Sequence, residues 1–481
     1  MIMGGGLMQL VLNGQMDEYI TINPCINYYK YVYRKHTNFS IEKRVNAPIN
    51  NANGGFYKSV KMTYKIERHG DLLSNMYLSF RIPDIYSNNE LKFRWVENLG
   101  FNYIKRVELL IDGKTIETLY SDWLNIWNEL TNKDGVEYNK LIGNVNEYIA
   151  PFSFQAKYTL INNKLYNINY PISSITSKNP SIKEREIQIP LNFWFTRNPS
   201  LALPLLKLAN NEITLDVYTN DRGVEGLYKI WSNKLNSYVS SSFYNTLHNA
   251  NISIDTFTKT KNHDVKNELH LTYVFLDTIE RSKMLLETNS YDYVIDTVKF
   301  TEKNIDTIAD ATTTCDINNA NNHIKEIVWF MRRNDMVSKY NNYLNYTASP
   351  YYLENMGILS SAIINWTNTV RAEHTAEYYN NIQPYYHHTN VPRTGIYSYS
   401  FALFPEKVNT SGSYNNSQIK TSILLKLNDY TNDDIFNLYQ NVTKNILGNN
   451  YFYDVKYEAN IYVREINILT IINGSAQLKF V

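Results

Sequence analysis

Val60-Lys61-Met62-Thr63-Tyr64-Lys65-Ile66 alternates without a break. Apolar side chains stand at every second position and polar ones between them. A period of two puts the apolar set on one face of an extended strand and the polar set on the other. The same pattern recurs at Met76, Leu78, Phe80 and Ile82, and over Ile187, Ile189, Leu191, Phe193 and Phe195. It returns at Ile213, Leu215 and Val217, and at Leu269, Leu271, Tyr273 and Phe275. Further strands are predicted near 38–43, 102–111 and 115–119, which makes about eight before residue 280.

The second half repeats the style. Strands are predicted at 293–300, 323–331, 396–404, 417–427, 451–458 and 461–472. In the last of these the apolar phase shifts between Val463 and Ile466, which predicts a bulge. Helices are few and short. Ser121 can cap a helix with Trp123, Ile126, Trp127 and Leu130 on one face. Asn198-Pro199 reads as a cap and first-turn proline for 199–209, and a third helix is predicted over 279–287. Stretches 133–185, 221–265 and 340–395 are long, polar and rich in Asn, Ser and Tyr, and read as surface loops. These features predict an all-β chain: two tandem eight-stranded antiparallel jelly-roll sandwiches with a few short helices and long loops.

Bulk properties agree. The 481 residues suit two β domains better than one core. The chain is 43% hydrophobic and 19% charged, a globular balance. The net charge of +1 disfavours direct genome packaging as the main role, because a nucleic-acid binder draws affinity from neutralising phosphates with a basic excess. No direct sequence-specific nucleic-acid binding is expected. Two cysteines, Cys25 and Cys315, are too few for a disulfide framework. No stretch reaches about 18 apolar residues, so no membrane span is expected. The opening Met1-Ile2-Met3-Gly4-Gly5-Gly6 lacks the basic flank and apolar core of a secretion signal.

Chemical motifs are scarce. Gly4-Gly5-Gly6 has no preceding strand and no following Gly-Lys-Ser/Thr, so it is no phosphate loop. There is no Gly-x-Ser-x-Gly elbow. His387-His388 suggests a metal, but neighbours on a strand point to opposite faces and no Cys or carboxylate cluster accompanies them. No enzyme, metal or cofactor is expected. Lys30, Arg34, Lys35, Lys43 and Arg44 form a basic group opposed by Glu42.

A resemblance adds to this. Gly4-Gly5-Gly6-Leu7-Met8-Gln9-Leu10-Val11, Asn23-Pro24 and Tyr31-Val32-Tyr33-Arg34-Lys35-His36-Thr37-Asn38-Phe39 follow one another in order. Pro190-Leu191-Asn192-Phe193-Trp194-Phe195 with Arg197-Asn198-Pro199, then Leu276-Asp277-Thr278 with Glu280-Arg281, come next. Gln383-Pro384-Tyr385, His387-His388-Thr389 and Tyr397-Ser398-Tyr399-Ser400-Phe401-Ala402-Leu403 follow, and Pro405-Glu406 with Ser411-Gly412-Ser413 close the series. This ordered set resembles major capsid proteins of nucleocytoplasmic large DNA viruses, whose fold is a double jelly roll. The resemblance implies a structural protein that forms a homotrimeric, pseudo-hexagonal capsomer tiling an icosahedral virion shell. It also implies contacts with neighbouring capsomers and with minor capsid and penton proteins, and synthesis in the host cytoplasm. It marks Gly4, Gly5, Gly6, Asn23, Pro24, Tyr33, Arg34, His36, Thr37, His387 and His388 as assembly candidates, and aims the basic group inward, toward minor proteins or an inner membrane surface. The division it suggests is an arm over 1–24, a first sandwich over 25–278, a connector helix over 279–290 and a second sandwich over 291–481. Two other readings use the same fold: an aromatic-rich glycosidase or lectin, and a minor or penton-type capsid relative, which usually has one jelly roll.

Overall fold

The alternating segments become strands because each has one apolar face to bury. The computed structural model describes residues 35–50, 58–88, 90–132, 140–144, 173–259, 266–286, 290–305, 312–350, 354–367, 369–408, 410–428, 456–472 and 474–480, with single positions at 8, 16, 21 and 23. The first half contains β1 (Phe39–Asn46), β2 (Lys61–Lys65), β3 (Leu72–Ile82), β4 (Phe93–Trp95), β5 (Ile104–Ile111), β6 (Lys114–Tyr120), β7 (Arg185–Pro190), β8 (Ile213–Thr219), β9 (Tyr228–Ser232), β10 (Ser237–Val239) and β11 (Glu268–Leu276). Its main sheets run β1-β11-β3-β7 and β2-β8-β5-β6, and β10-β9-β4 form a small extra sheet.

The second half contains β12 (Ser290–Ile305), β13 (Thr312–Ile317), β14 (His323–Arg333), β15 (Leu359–Trp366), β16 (Thr369–Thr375), β17 (Ile396–Ser400), β18 (Tyr414–Asn415), β19 (Thr421–Leu427), β20 (Tyr457–Ile472) and β21 (Ser475–Leu478). Its sheets run β12-β20-β14-β17 and β13-β19-β15-β16, with β18 and β21 added at the margins of the first. Set aside the short extras, and the two halves have one topology. In each, the first, eighth, third and sixth main strands make one sheet, and the second, seventh, fourth and fifth make the other. All the ladders are antiparallel, as in β1 against β11 and β12 against β20. This is the jelly-roll order, present twice.

Helices of eight residues or more, among the described residues, are α1 (Ser121–Thr131), α2 (Ser241–His248) and α3 (Thr278–Leu286). In the first half α1 follows β6. In the second half a helical segment over 376–387 follows β16. The two therefore take the same place in the topology.

One hydrophobic core fills the first sandwich and continues onto the second half through Val328, Phe330 and Tyr462. Another lies inside the second sandwich around Trp329, Ile461 and Val463, and includes Cys315.

Several expectations are corrected. Stretch 221–265 is no bare loop: it holds β9, β10 and α2, because Leu227, Tyr228, Ile230, Val239 and Phe243 have apolar surface to bury. Stretch 340–395 likewise contains β15, β16 and the helical segment. Most of 133–185 lies outside the described residues. Strands expected at 451–458 and 461–472 are one strand, β20, with 451–455 outside the described residues. Ser121 is the first residue of α1 and its hydroxyl donates to the Phe101 carbonyl; Tyr120 takes the cap position. Asn198 does cap, accepting from the Ser200 N–H, but the helix it starts is a single 3-10 turn, Pro199–Leu201.

Candidate functional site

The sequence of β14 shows where the two halves meet. After His323 every residue of this strand is buried. A strand buried on both faces packs against something on each side. Ile327, Trp329 and Met331 face the second core, whereas Val328 and Phe330 join the first. The outer face of the β12-β20-β14-β17 sheet is therefore covered by the first sandwich. Tyr120, at the end of β6, lies 4.8 Å from Phe300 between ring centroids. Trp123 of α1 lies 5.5 Å from Tyr462.

Beside these aromatics is a buried seam of charge. Arg464 on β20 donates to Glu326 Oε1 at 2.7 Å and to Asp296 Oδ2 at 2.8 Å. It also donates to the Pro405 carbonyl at 2.7 Å, and its guanidinium stacks 4.4 Å from the Trp127 ring. Lys325 donates to Asp296 Oδ2 at 3.0 Å and to the Lys407 carbonyl at 2.7 Å. Arg197, from the first sandwich, reaches Asp296 at 3.8 Å. His388 Nε2 lies 3.1 Å from Glu326 Oε2, and its Nδ1 lies 3.4 Å from Glu406 Oε1. Lys325, Asp296, Glu326 and His388 have fully buried side chains.

Burial opposes each of these charges, and their partners decide the outcome. For His388, burial alone would lower the pKa, but Glu326 and Glu406 together raise it to about 9. For Glu326, burial would raise it, but Arg464 and His388 hold it at about 2. Lys325 goes down, since burial and the Arg464 charge outweigh Asp296. Glu117 on β6 goes up to about 8, because burial dominates over Arg197. Most of the network lies within the second sandwich, and Arg197 and the Trp127 ring reach it from the first; every charged member left alone would be a buried charge.

The register explains how these groups converge. Ile324 pairs with Glu465 and Glu326 with Arg464, so Lys325 is the extra residue of a bulge. The bulge expected near 463–466 is thus displaced: the extra residue is in β14, and β20 runs against β12 without a shift. The broken phase of β20 is the charged pair Arg464-Glu465 itself, both buried.

The sequence-predicted residues fare differently. Gly4, Gly5, Gly6, Pro24, Lys30, Tyr33 and Arg34 lie outside the described residues. Asn23 is described and adopts a left-handed conformation, φ 54°. Lys35, His36 and Thr37 are exposed ahead of β1. Lys43 and Arg44 are also exposed, yet as neighbours on a strand they point to opposite faces, and Arg44 pairs with Glu42 at 2.8 Å. Of the described basic residues, Lys43 and Arg44 therefore do not share a face. His387 and His388 are not on a strand. They stand at the end of the Gln383–His387 helix. His387 is partly exposed near the Leu403 carbonyl, while His388 belongs to the seam. Among the described residues no group of three or more His, Cys, Asp or Glu side chains is placed to hold a metal.

Residues 27–277 match the family described as major capsid protein N-terminus, and 280–477 match large eukaryotic DNA virus major capsid protein. The chain belongs to the major capsid protein family of large eukaryotic DNA viruses. It is 30% identical to the major capsid protein of Pyramimonas orientalis virus, over 88% of this chain and 91% of that one. It is 26% identical to that of Paramecium bursaria Chlorella virus 1, over 99% of this chain and 100% of the relative. Among solved structures, the PBCV-1 virus capsid aligns with TM-score 0.66 and 22% identity, covering 95% of this chain and 100% of that one. The Faustovirus major capsid protein aligns with TM-score 0.62 and 13% identity, covering 95% and 94%. These structures share the double jelly-roll fold. The chain is accordingly a structural protein of the virion capsid rather than an enzyme.

Proposed function

We propose that three copies of this chain form a pseudo-hexagonal capsomer, and that such capsomers tile an icosahedral shell. The observation that carries this is the identical strand order of the two halves. Two equivalent modules in one chain let a threefold assembly imitate sixfold packing against its neighbours. Contacts inside the trimer would be large and permanent, above about 2,000 Å². Contacts between capsomers can each be weak, because many act together.

In this reading 25–278 and 291–481 are the two building modules, with 279–290 as connector and 1–24 as an arm. In the same reading the basic group Lys30, Arg34, Lys35, Lys43 and Arg44 carries an inward contact with minor capsid proteins or an anionic membrane surface. Penton proteins would fill the vertices, and synthesis and assembly would take place in the host cytoplasm. Light scattering with negative-stain microscopy of the purified chain tests the proposal. Stable trimers with a near-hexagonal outline are expected; a monomer at micromolar concentration would overturn it.

A further inference from the structure

The first sandwich does not cover the whole outer face of the β12-β20-β14-β17 sheet. Beside the contact of Tyr120 with Phe300 a cleft of about 340 Å³ remains between the two halves, a size that suits a small molecule. The ladder register places its sheet wall. Phe300 of β12 stands opposite Tyr462 of β20, and Glu302 stands opposite Asn460. On the other side of β20, Glu458 pairs with Arg332 of β14. Partners across an antiparallel pair share a face, and so do residues two apart on one strand. These side chains therefore stand together on the face turned toward the first sandwich, which closes the cleft with Tyr120, Asp122 and Lys105.

The cations of the cleft are already held. Arg332 lies 3.0 Å from Asp122 and 2.7 Å from Glu458. Lys105 lies 2.5 Å from Asp221. Arg222 donates to the Val337 carbonyl and to Asn341 Oδ1. One carboxylate is not held: Glu302 is exposed at the mouth and makes no ion pair among the described residues. Asp122, Asp221, Glu302 and Glu458 outnumber Lys105, Arg222 and Arg332, so the cleft favours a cation. A second polar group is open at the bottom. Asn460 is 3% exposed, and its Nδ2 is buried without a hydrogen-bond partner among the described residues. A buried donor left unpaired is costly, and native structures seldom keep one without a bound partner. Beside these two points lies an aromatic wall. Phe300 and Tyr462 stack at 4.9 Å, and Tyr120 packs on them at 4.8 and 6.3 Å.

We infer that this cleft is a binding site for a small aromatic amine. The ring packs on Phe300, Tyr462 and Tyr120, the ammonium pairs with Glu302 at the mouth, and a hydroxyl or carbonyl oxygen accepts from Asn460 Nδ2. The aromatic wall adds to the attraction for the ammonium, since ring faces are negative. An anion would meet the excess carboxylate, and a purely apolar molecule would leave both Glu302 and Asn460 unused. Because the walls come from both sandwiches, the bound molecule ties one to the other, and its affinity is read as added stability of the folded chain.

Tyramine is the probe, titrated into the purified full chain by isothermal calorimetry and followed in parallel by thermal melts. It is expected to bind and to raise the melting temperature. Phenethylamine, which lacks the hydroxyl, should bind about tenfold more weakly, and Asn460→Val should weaken tyramine equally while leaving phenethylamine unchanged. Glu302→Gln, at an exposed position, keeps the fold and should weaken both amines about threefold, with less difference at high salt. Para-hydroxyphenylacetate, with a carboxylate in place of the ammonium, should not bind. If Asn460→Val does not fold, the comparison of the two amines on wild type stands in for it. Absence of tyramine binding at millimolar concentration would make the cleft a water-filled gap and overturn the site. Binding that neither variant weakens, or equal binding of the carboxylate, would overturn the roles of Glu302 and Asn460. None of these results depends on whether the chain is a trimer.

Discussion

Raising the pH should loosen the seam through His388. Its imidazole is fully buried between Glu326 and Glu406, and those carboxylates raise its pKa from 6.5 to about 9. A group held at a higher pKa in the folded chain stabilises fully below its ordinary value, here about pH 6.5. That stability is lost as the pH rises through 9. At 1.36 kcal/mol per pKa unit the contribution is roughly 3 kcal/mol. For domains of this size that corresponds to a fall in melting temperature of roughly 6–12 °C between pH 6 and 10. Glu117 adds loss in the same direction, between 4.5 and about 8, because its folded pKa is also raised. The comparison is therefore with His388→Gln, which keeps Glu117. Melting followed by near-ultraviolet circular dichroism should show the variant less stable at pH 6 and level with wild type above pH 9. Parallel curves across that range would refute the charged His388 and the role of its carboxylates.

Arg464→Met leaves Asp296 and Glu326 without their main partner and should cost about 3–5 kcal/mol in denaturant titrations. Trp127→Ala removes a buried ring that both Arg464 and Arg197 contact, at about 3–5 kcal/mol, and should increase protease cleavage between the sandwiches. Gly395 has φ +101°, and a Cβ there would stand 2.5 Å from Tyr346 Cβ. Gly395→Ala should therefore cost roughly 2–4 kcal/mol in the same titrations, whereas Gly113→Ala, with open space around it, should cost less.

Much of the fold was readable because half-buried strands write their burial into a period of two. Met62 and Tyr64 or Ile187 and Ile189 are at the core positions the alternation predicts. Strand order was not readable from pattern, since pairing partners such as β1 and β11 lie more than 200 residues apart; there the resemblance to a capsid family supplied what periodicity could not. The loops at 221–265 and 340–395 were misread because Asn, Ser and Tyr masked short apolar clusters. The charged seam was missed altogether. Its signal was present as Lys325-Glu326 and Arg464-Glu465, charges inside otherwise apolar strands. Such pairs mark either an exposed edge or a buried network, and only the fold tells which. Of the assembly candidates that the structure describes, His388 alone entered the network, and it did so from a helix end rather than a strand.

Cys315 lies in β13 inside the second core, and burial pushes its thiol up to about 11. Thiolate is the form that attacks disulfides and reacts with oxidants, and at neutral pH it is then about one part in ten thousand. The residue behaves as a small apolar filler. A shell built from such subunits can meet reducing or oxidising surroundings without this position forming cross-links or changing its chemistry.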